Sequence, residues 1–499
     1  MTERLTFNPG DGRNGAPAWR GPRPPGPPAG GPVSGVPSEP PGAPRGRRAR
    51  SSRPGAGDAA FLFLLAFTAL AFFRPQDSIR VLAVLHLAEV SAIGGLIAFA
   101  GGQIARGRPI TRITPELTGV VALGAIMLIM APASIWFGGS VGVFKEIYSK
   151  VLLMYLLMAN VLTSPKRIER LTWLIVIASG YIGARAVLDY GRGVNMIEHG
   201  RVEGAIGGMF KNPNDLALNM VSILPLAVFL TLREGSPLRR LTAAGCAFCM
   251  LGAVIVSHSR SGALGLAAMA IVFGCFAIRR RPAAVIGTVL LCALAAPLLP
   301  SSYWQRLASI TNDAEDDTGS KEARTILLHE SAQAFLENPL TGVGAGQFKN
   351  WNPDGRLQPW RESHDVLLQV GAELGIFGLA CFLYLIAAGA LAVRRTRQLL
   401  RRARLALRQR TGASATAKRL AVPDVTSEEL AFFDGHSAAI AAALAGWFVC
   451  ALFASVAYNW TFYYLLALAA TPRDALAARF PKPGPPAAAP VTRWEAAQA

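Results

Sequence analysis

The sequence predicts an all-α, polytopic membrane protein with about 12 transmembrane helices and one large extramembrane loop. Three observations predict it. Of 499 residues, 52% are hydrophobic and only 16% charged, where a soluble protein carries about 25% charged. The apolar residues come in blocks long enough to cross a bilayer, which takes about 20 helical residues. The basic residues behind the formal charge of +19 sit in the short gaps between those blocks, as membrane insertion requires. A soluble enzyme, a disulfide scaffold and a fully disordered chain are excluded. The positive charge is therefore assigned to membrane topology, with no nucleic acid as partner.

Residues 1–58 hold 13 Pro, 12 Gly and nine Arg, so they read as a disordered basic cytoplasmic tail. The first apolar run begins at Ala59. That is far from the start for a signal peptide, so it is expected to be an uncleaved membrane helix. Spans are expected at 59–73, 79–101, 116–138, 143–162, 171–189, 215–232, 241–257, 262–278, 283–300, 366–393, 436–456 and 458–470. With the N-terminus inside and strict alternation, the inside segments collect 35 of the 50 Lys and Arg, and every inside gap is basic. This predicts both termini in the cytoplasm, a transmembrane domain over 59–470 and a cytoplasmic C-terminal tail over 471–499.

Two segments are too long to be connectors. The inside stretch 394–435 opens with RRTRQLLRRARLALRQR, expected to be a basic helix lying on anionic membrane lipids. The outside stretch 301–365 carries most of the polar residues that could do chemistry. The six cysteines all fall in apolar blocks and read as small apolar fillers.

Outside loops should be poor in arginine, so the exceptions are informative. Arg201 lies in GRVEGAIGGMFKNPNDLALNM, Arg260 in SHSRSGALG, Arg324 in KEARTILLHESAQAF, and His364 at the mouth of the tenth span in ESHDVLLQVGAELGIFGL. Spans six, eight and ten all start outside, with Asn214, Ser261 and Ser363 as expected caps. Three helix N-termini beside arginines make an anion site at headgroup depth. The diphosphate of a polyprenyl carrier fits it, because the guanidinium fork gives bidentate bonds. A neutral His364 could take a proton from an incoming sugar hydroxyl. Each arginine alone could instead snorkel to headgroups, and His199, His258 and His329 are also outside. Glu373 lies inside span ten, on one face with Asp365 and Gln369. It is read either as a substrate-binding carboxylate or as part of a polar stripe locking the helix to its neighbours. GVGAG at 342–346 reads as a turn for close backbone approach. The acidic run from Asp313 to Asp317 reads as a solvated loop, since no calcium-loop spacing is present. Lys145 and Lys150 could add charge to the site or snorkel.

The runs RVEGAIGGMFKNPN, SRSG, NPLTGVGAGQF and SHDVLLQVGAELGIFGL occur in this order over about 170–395, and together they resemble the O-antigen ligase and polymerase family of bacterial inner-membrane proteins. The resemblance implies a polytopic glycosyltransferase of the GT-C type facing the periplasm, with no metal and no cofactor. Its donor would be an undecaprenyl-diphosphate-linked glycan, and its acceptor lipid A–core, another glycan or a protein. By matching motifs, Arg260 and Arg324 would hold the diphosphate, His364 would activate the acceptor, and Arg201 with Asn214 would bind substrate. The family commonly has Asn after the histidine, where this chain has Asp365. A ligase is the leading expectation and a polymerase of O-antigen or exopolysaccharide the alternative. A transporter is disfavoured, because the polar groups gather at one face instead of the midplane. A structural subunit would not need arginines concentrated outside.

Overall fold

The computed structural model describes residues 56–75, 85–107, 109–197, 200–204, 210, 212–277, 282, 304, 320–412 and 424–480. Helices dominate. In chain order they are α1 (Ala56–Phe73), α2 (Leu87–Ile104), α3 (Pro115–Met130), α4 (Phe137–Val143), α5 (Ser149–Val161), α6 (Pro165–Arg192), α7 (Pro213–Arg233), α8 (Pro237–Val256), α9 (Arg260–Ala277), α10 (Ser320–Glu337), α11 (Val366–Gly412), α12 (Ser427–Ala451) and α13 (Trp460–Ala477). The only strands among the described residues form a two-residue hairpin, β1 (Met196–Ile197) and β2 (Arg201–Val202), with Ile197 opposite Arg201.

Local chemistry sets the helix boundaries. Thr114 caps α3 by accepting the Leu117 N–H, with Pro115 in the first turn. Ser164 and Pro165 do the same for α6, which ends at Gly193 with φ 66°. Thr426 and Glu429 close a reciprocal capping box on α12.

Among the described residues, eight helices are long and apolar enough to cross a membrane by length and composition. The chain is thus an all-α multi-pass membrane protein. Eleven of the twelve expected spans overlap described helices; residues 79–84 of the second, and all of the ninth, 283–300, lie outside the described residues. Two boundaries differ. The third expected span, 116–138, stops at Met130, because Pro132 turns the chain through a short 3-10 segment. The fourth begins earlier, at Phe137, and reaches Val161 through a π turn at Phe144–Tyr148. A larger difference is in span ten. No Gly or Pro interrupts 390–411, so α11 runs on to Gly412 and the basic segment is its continuation, not a separate surface helix. Leu400 and Ala403 are buried there, and Arg404 pairs with Asp434 of α12 at 2.7 Å.

Ion pairs tie together one set of helix ends. Arg167 at the start of α6 meets Asp58 of α1 at 2.7 Å. Arg233 at the end of α7 meets Glu169 of α6 at 2.6 Å. Arg473 near the end of α13 grips Glu116 at the start of α3 through two bonds, 2.5 and 3.0 Å. Helices α7, α9 and α11 begin at the opposite end. Where α9 crosses α12 the backbones touch, and a Cβ on Gly265 would collide with Cys450 and the Gly446 carbonyl. Small residues permit this approach, which lipid-embedded helices use to gain packing.

Candidate functional site

Three helix starts gather at one mouth. The true caps are Asn212, Ser259 and Asp365, each two residues from the expected Asn214, Ser261 or Ser363. Asn212 accepts the Asn214 N–H at 2.8 Å. Ser259 accepts the Gly262 N–H at 3.1 Å. Asp365 accepts the N–H groups of Leu367 and Leu368, both at 2.8 Å. Asn214 is released for another task. Its Oδ1 accepts from Arg201 Nη2 at 2.8 Å and from the Ser259 hydroxyl at 2.9 Å. Arg201 also donates from Nε to the Ser257 carbonyl at 3.2 Å. The hairpin, the start of α7 and the start of α9 are thereby one hydrogen-bonded unit. Arg260, half-buried, is the first residue of α9.

His364 stands at the third start, with φ 53°, a strained value for a non-glycine residue. Its N–H donates to Ser455 Oγ, in the α12–α13 connection, at 2.9 Å. Burial pushes its imidazole down to about 4, and the charges of Arg324 and Arg361 push the same way. Arg324, half-buried on α10, is thus within electrostatic reach of His364. Glu362 stands close enough to Asp215 of α7 for the two carboxylates to repel. Burial raises the Asp365 carboxyl, against the pull of the two N–H groups it caps.

The other histidines sit differently. His258 is buried at 5% exposure, with its ring 6.1 Å from Tyr190. His329 lines a cavity of about 350 Å³ between α10 and the 351–357 loop. His199 lies outside the described residues, as does the acidic run. Lys150 pairs with Glu89 of α2 at 2.9 Å. Among the described residues no group of three His, Cys, Asp or Glu side chains could hold a metal ion.

Glu373 lies deeper, 4% exposed. Helix α11 breaks at Gly375, with φ 63° and ψ −163°, and the break frees two carbonyls. Val343 N–H donates to the Ala372 carbonyl at 2.8 Å and Gly344 N–H to the Glu373 carbonyl at 2.9 Å. The Glu373 carboxylate accepts the Gly346 N–H at 2.8 Å. Gly342, Gly344 and Gly346 all have positive φ, and a Cβ on Gly342 would strike the Glu373 backbone. The 342–346 turn is a close backbone approach docked into a helix kink. Gln369 on the same face accepts the Ala457 N–H at 3.1 Å. In this structure the polar stripe of α11 is engaged in locking.

Sequence reasoning missed the pair that holds the loop. Arg356, its side chain fully buried, meets Glu330 of α10 at 3.2 Å. It also donates to the carbonyls of Phe348, at 2.9 Å, and Trp351, and its guanidinium lies 4.7 Å over the Phe348 ring. Glu330 takes the N–H groups of Leu357 and Gln358 at 2.7 and 3.0 Å. This knot fixes the loop leading to Arg361 and His364 onto the helix that bears Arg324. Its one sequence signal is an arginine and a glutamate within the long outside stretch 301–365.

No curated protein matches the chain. Residues 245–383 match the family model described as O-Antigen ligase. The match takes in Arg260, Arg324, His364 and the α11 kink, and leaves Arg201 and Asn214 upstream of it. Over that region, carried on a multi-pass helical fold, the chain is similar to the O-antigen ligase family.

Proposed function

We propose that the protein moves a glycan from an undecaprenyl-diphosphate carrier to an acceptor hydroxyl, on lipid A–core or a similar glycan, at the periplasmic face of the bacterial inner membrane. The observation that carries this reading is that Arg201, Asn214 and Ser259 tie the starts of α7 and α9 together, while Arg324 lies within electrostatic reach of a half-buried His364 at the start of α11. Helix starts and guanidinium groups suit a diphosphate, and the imidazole suits proton transfer. In one displacement, His364 takes the hydroxyl proton of the acceptor. The freed oxygen attacks the anomeric carbon of the donor sugar. The carbon–oxygen bond to phosphate breaks, and its electron pair leaves on undecaprenyl diphosphate. Arg260 and Arg324 stabilise the charge that develops there. Arg201 and Asn214 hold the first turn of α7 against the donor side. The cavity beside His329 gives room for sugar units beyond the reacting one.

The test is transfer by purified protein in detergent, with a synthetic undecaprenyl-diphosphate glycan and purified lipid A–core. Donor consumption with product on lipid A–core supports the ligase reading. Product longer by one repeat and still on the carrier would assign a polymerase. Donor binding without turnover on either acceptor would sink the enzymatic assignment.

A further inference from the structure

A second basic cavity lies at the other end of the bundle. It is about 240 Å³ and lined by Phe99, Gln103, Arg106, Arg112, Asn160, Thr163 and Arg167. These residues come from the end of α2, the link to α3, the end of α5 and the start of α6. Helix α6 separates this cavity from the candidate site. Arg167 is in its first turn, and it ends just before the hairpin bearing Arg201. Its 28 residues span roughly 42 Å at about 1.5 Å per residue, the full thickness of a membrane.

The wall is built, not incidental. Asn160 is 6% exposed. Its Oδ1 accepts the Arg112 N–H at 3.1 Å, and its Nδ2 donates to Thr111 Oγ1 at 2.9 Å and to the Leu156 carbonyl at 2.8 Å. Gln103 donates to the Pro109 carbonyl at 3.1 Å. The link is thereby folded back so that Arg112 faces the same space as Arg106 and Arg167. Arg167 is held by the Val161 carbonyl at 3.0 Å and by Asp58 at 2.7 Å. Arg106 donates to the Gly102 carbonyl at 3.2 Å. Three arginines line one small space, Arg106 and Arg112 at its exposed side, and among the described residues no carboxylate lines it. Asp58, which meets Arg167 from outside the cavity, offsets one charge. The positive charges of Arg106 and Arg112 favour an anion in this space. Phe99 gives the rim an apolar side, towards the lipid-embedded part of α2.

We propose that this cavity binds a phosphate group, as the headgroup phosphodiester of an anionic membrane lipid or as free phosphate. Its size suits one phosphate and part of a glycerol. Its donors are forked, as phosphate recognition needs, and its depth at a helix end is where headgroups lie. The cavity is a full helix length from His364, so the proposal stands apart from the catalytic reading.

The experiment is native mass spectrometry of the full-length protein in detergent, titrated with phosphatidylglycerol or phosphatidylcholine. A parallel arm adds inorganic phosphate as competitor. The expected result is phosphatidylglycerol retained about tenfold more tightly than phosphatidylcholine, and a loss of that preference in the Arg106→Ala/Arg112→Ala variant. Arg401→Ala/Arg402→Ala removes two exposed charges of α11 and should keep the preference. An equal loss in both variants means diffuse surface charge and overturns the proposal. So does an unchanged preference in the Arg106/Arg112 variant. Displacement of the lipid by millimolar inorganic phosphate assigns free phosphate as ligand, and no displacement assigns the lipid. An Arg112→Lys variant keeps charge without the fork and guards against misfolding. Binding should fall in it while thermal unfolding stays at the parent value, and parent-level binding there would remove the guanidinium from the site.

Discussion

At the scale of single residues, His364 and Arg324 form one electrostatic unit. Burial, Arg324 and Arg361 hold the free imidazole at about 4, below the usual 6.5. It is neutral at every working pH but a weak base. A diphosphate seated on Arg324 adds negative charge beside it, which favours the imidazolium and raises its pKa. The base therefore strengthens when donor is in place. The acid limb of kcat/KM, which reports the free enzyme, should fall near pH 4, and the limb of kcat should lie higher. Coincident limbs would separate His364 from the donor. The folded-state pKa is depressed, so between pH 6.5 and about 4 the unfolded chain binds more protons and stability declines as pH falls through that window. His364→Ala should lower turnover by ~10²–10⁴-fold and leave donor binding intact, while His258→Ala and His329→Ala should do much less. Lost donor binding with retained turnover would make His364 a phosphate ligand. Arg324→Ala should abolish transfer and Arg324→Lys restore little, because a point charge replaces a fork. The expected loss is at least ~2–3 kcal/mol of transition-state stabilisation, read from kcat/KM. Near-normal transfer by the lysine variant would mean that charge alone matters.

At the scale of elements, the site depends on how helix starts and one kink are locked. Apolar blocks and basic gaps made the helices readable, because both are properties of segments. Cap positions were displaced by two residues, because Asn212, Asn214, Ser259 and Ser261 are all competent acceptors and only the fold decides which one Arg201 claims. The kink was less legible still. Gly375 sits in an apolar run with three other glycines nearby, and its role follows from Val343 and Gly344 taking the carbonyls it frees. Nothing local to 330 or 356 announced the buried Arg356–Glu330 knot, since the two residues lie 26 positions apart. Each lock carries a prediction. Gly342→Ala places a Cβ against the Glu373 backbone at a residue with φ 65°. It should cost at least ~2 kcal/mol, measured as a lowered unfolding temperature in detergent. Parent-like stability would mean that the turn does not dock as described. Glu330→Ala should leave the Arg356 guanidinium buried without its carboxylate and loosen the 351–361 loop. Its signature should be faster amide exchange in that loop and lower transfer, with α7 and α9 unaffected.

At the scale of the whole molecule, the two ends of the bundle are chemically distinct, and the proposed orientation rests on that difference. One end is stitched by guanidinium–carboxylate pairs: Arg167–Asp58, Arg233–Glu169, Arg404–Asp434 and Arg473–Glu116. The other is stitched by hydrogen bonds around Asn214, Ser259 and Ser455, Arg201 among the donors, and by the Arg356–Glu330 pair of its loop. The proposed orientation puts the arginine-rich end in the cytoplasm, as the positive-inside rule favours, and His364 outward. The Arg473–Glu116 pair tests the stitching, because Glu116 is 1% and Arg473 7% exposed. Arg473→Ala strands a buried carboxylate and should cost about 3–5 kcal/mol. Arg473→Met with Glu116→Gln removes both charges and should recover most of the loss, since an uncharged pair no longer needs its partner. Equal damage in the single and double variants would mean that packing, not charge, is what matters there. The orientation is tested separately, in a variant without the native cysteines. Asp354→Cys, exposed in the loop before His364, should react with an impermeant thiol reagent added from outside. Arg401→Cys, exposed on the extension of α11, should react only after the membrane is opened. The reverse pattern would put the arginine mouth in the cytoplasm, where no periplasmic acceptor reaches it, and the proposed transfer would fall with it.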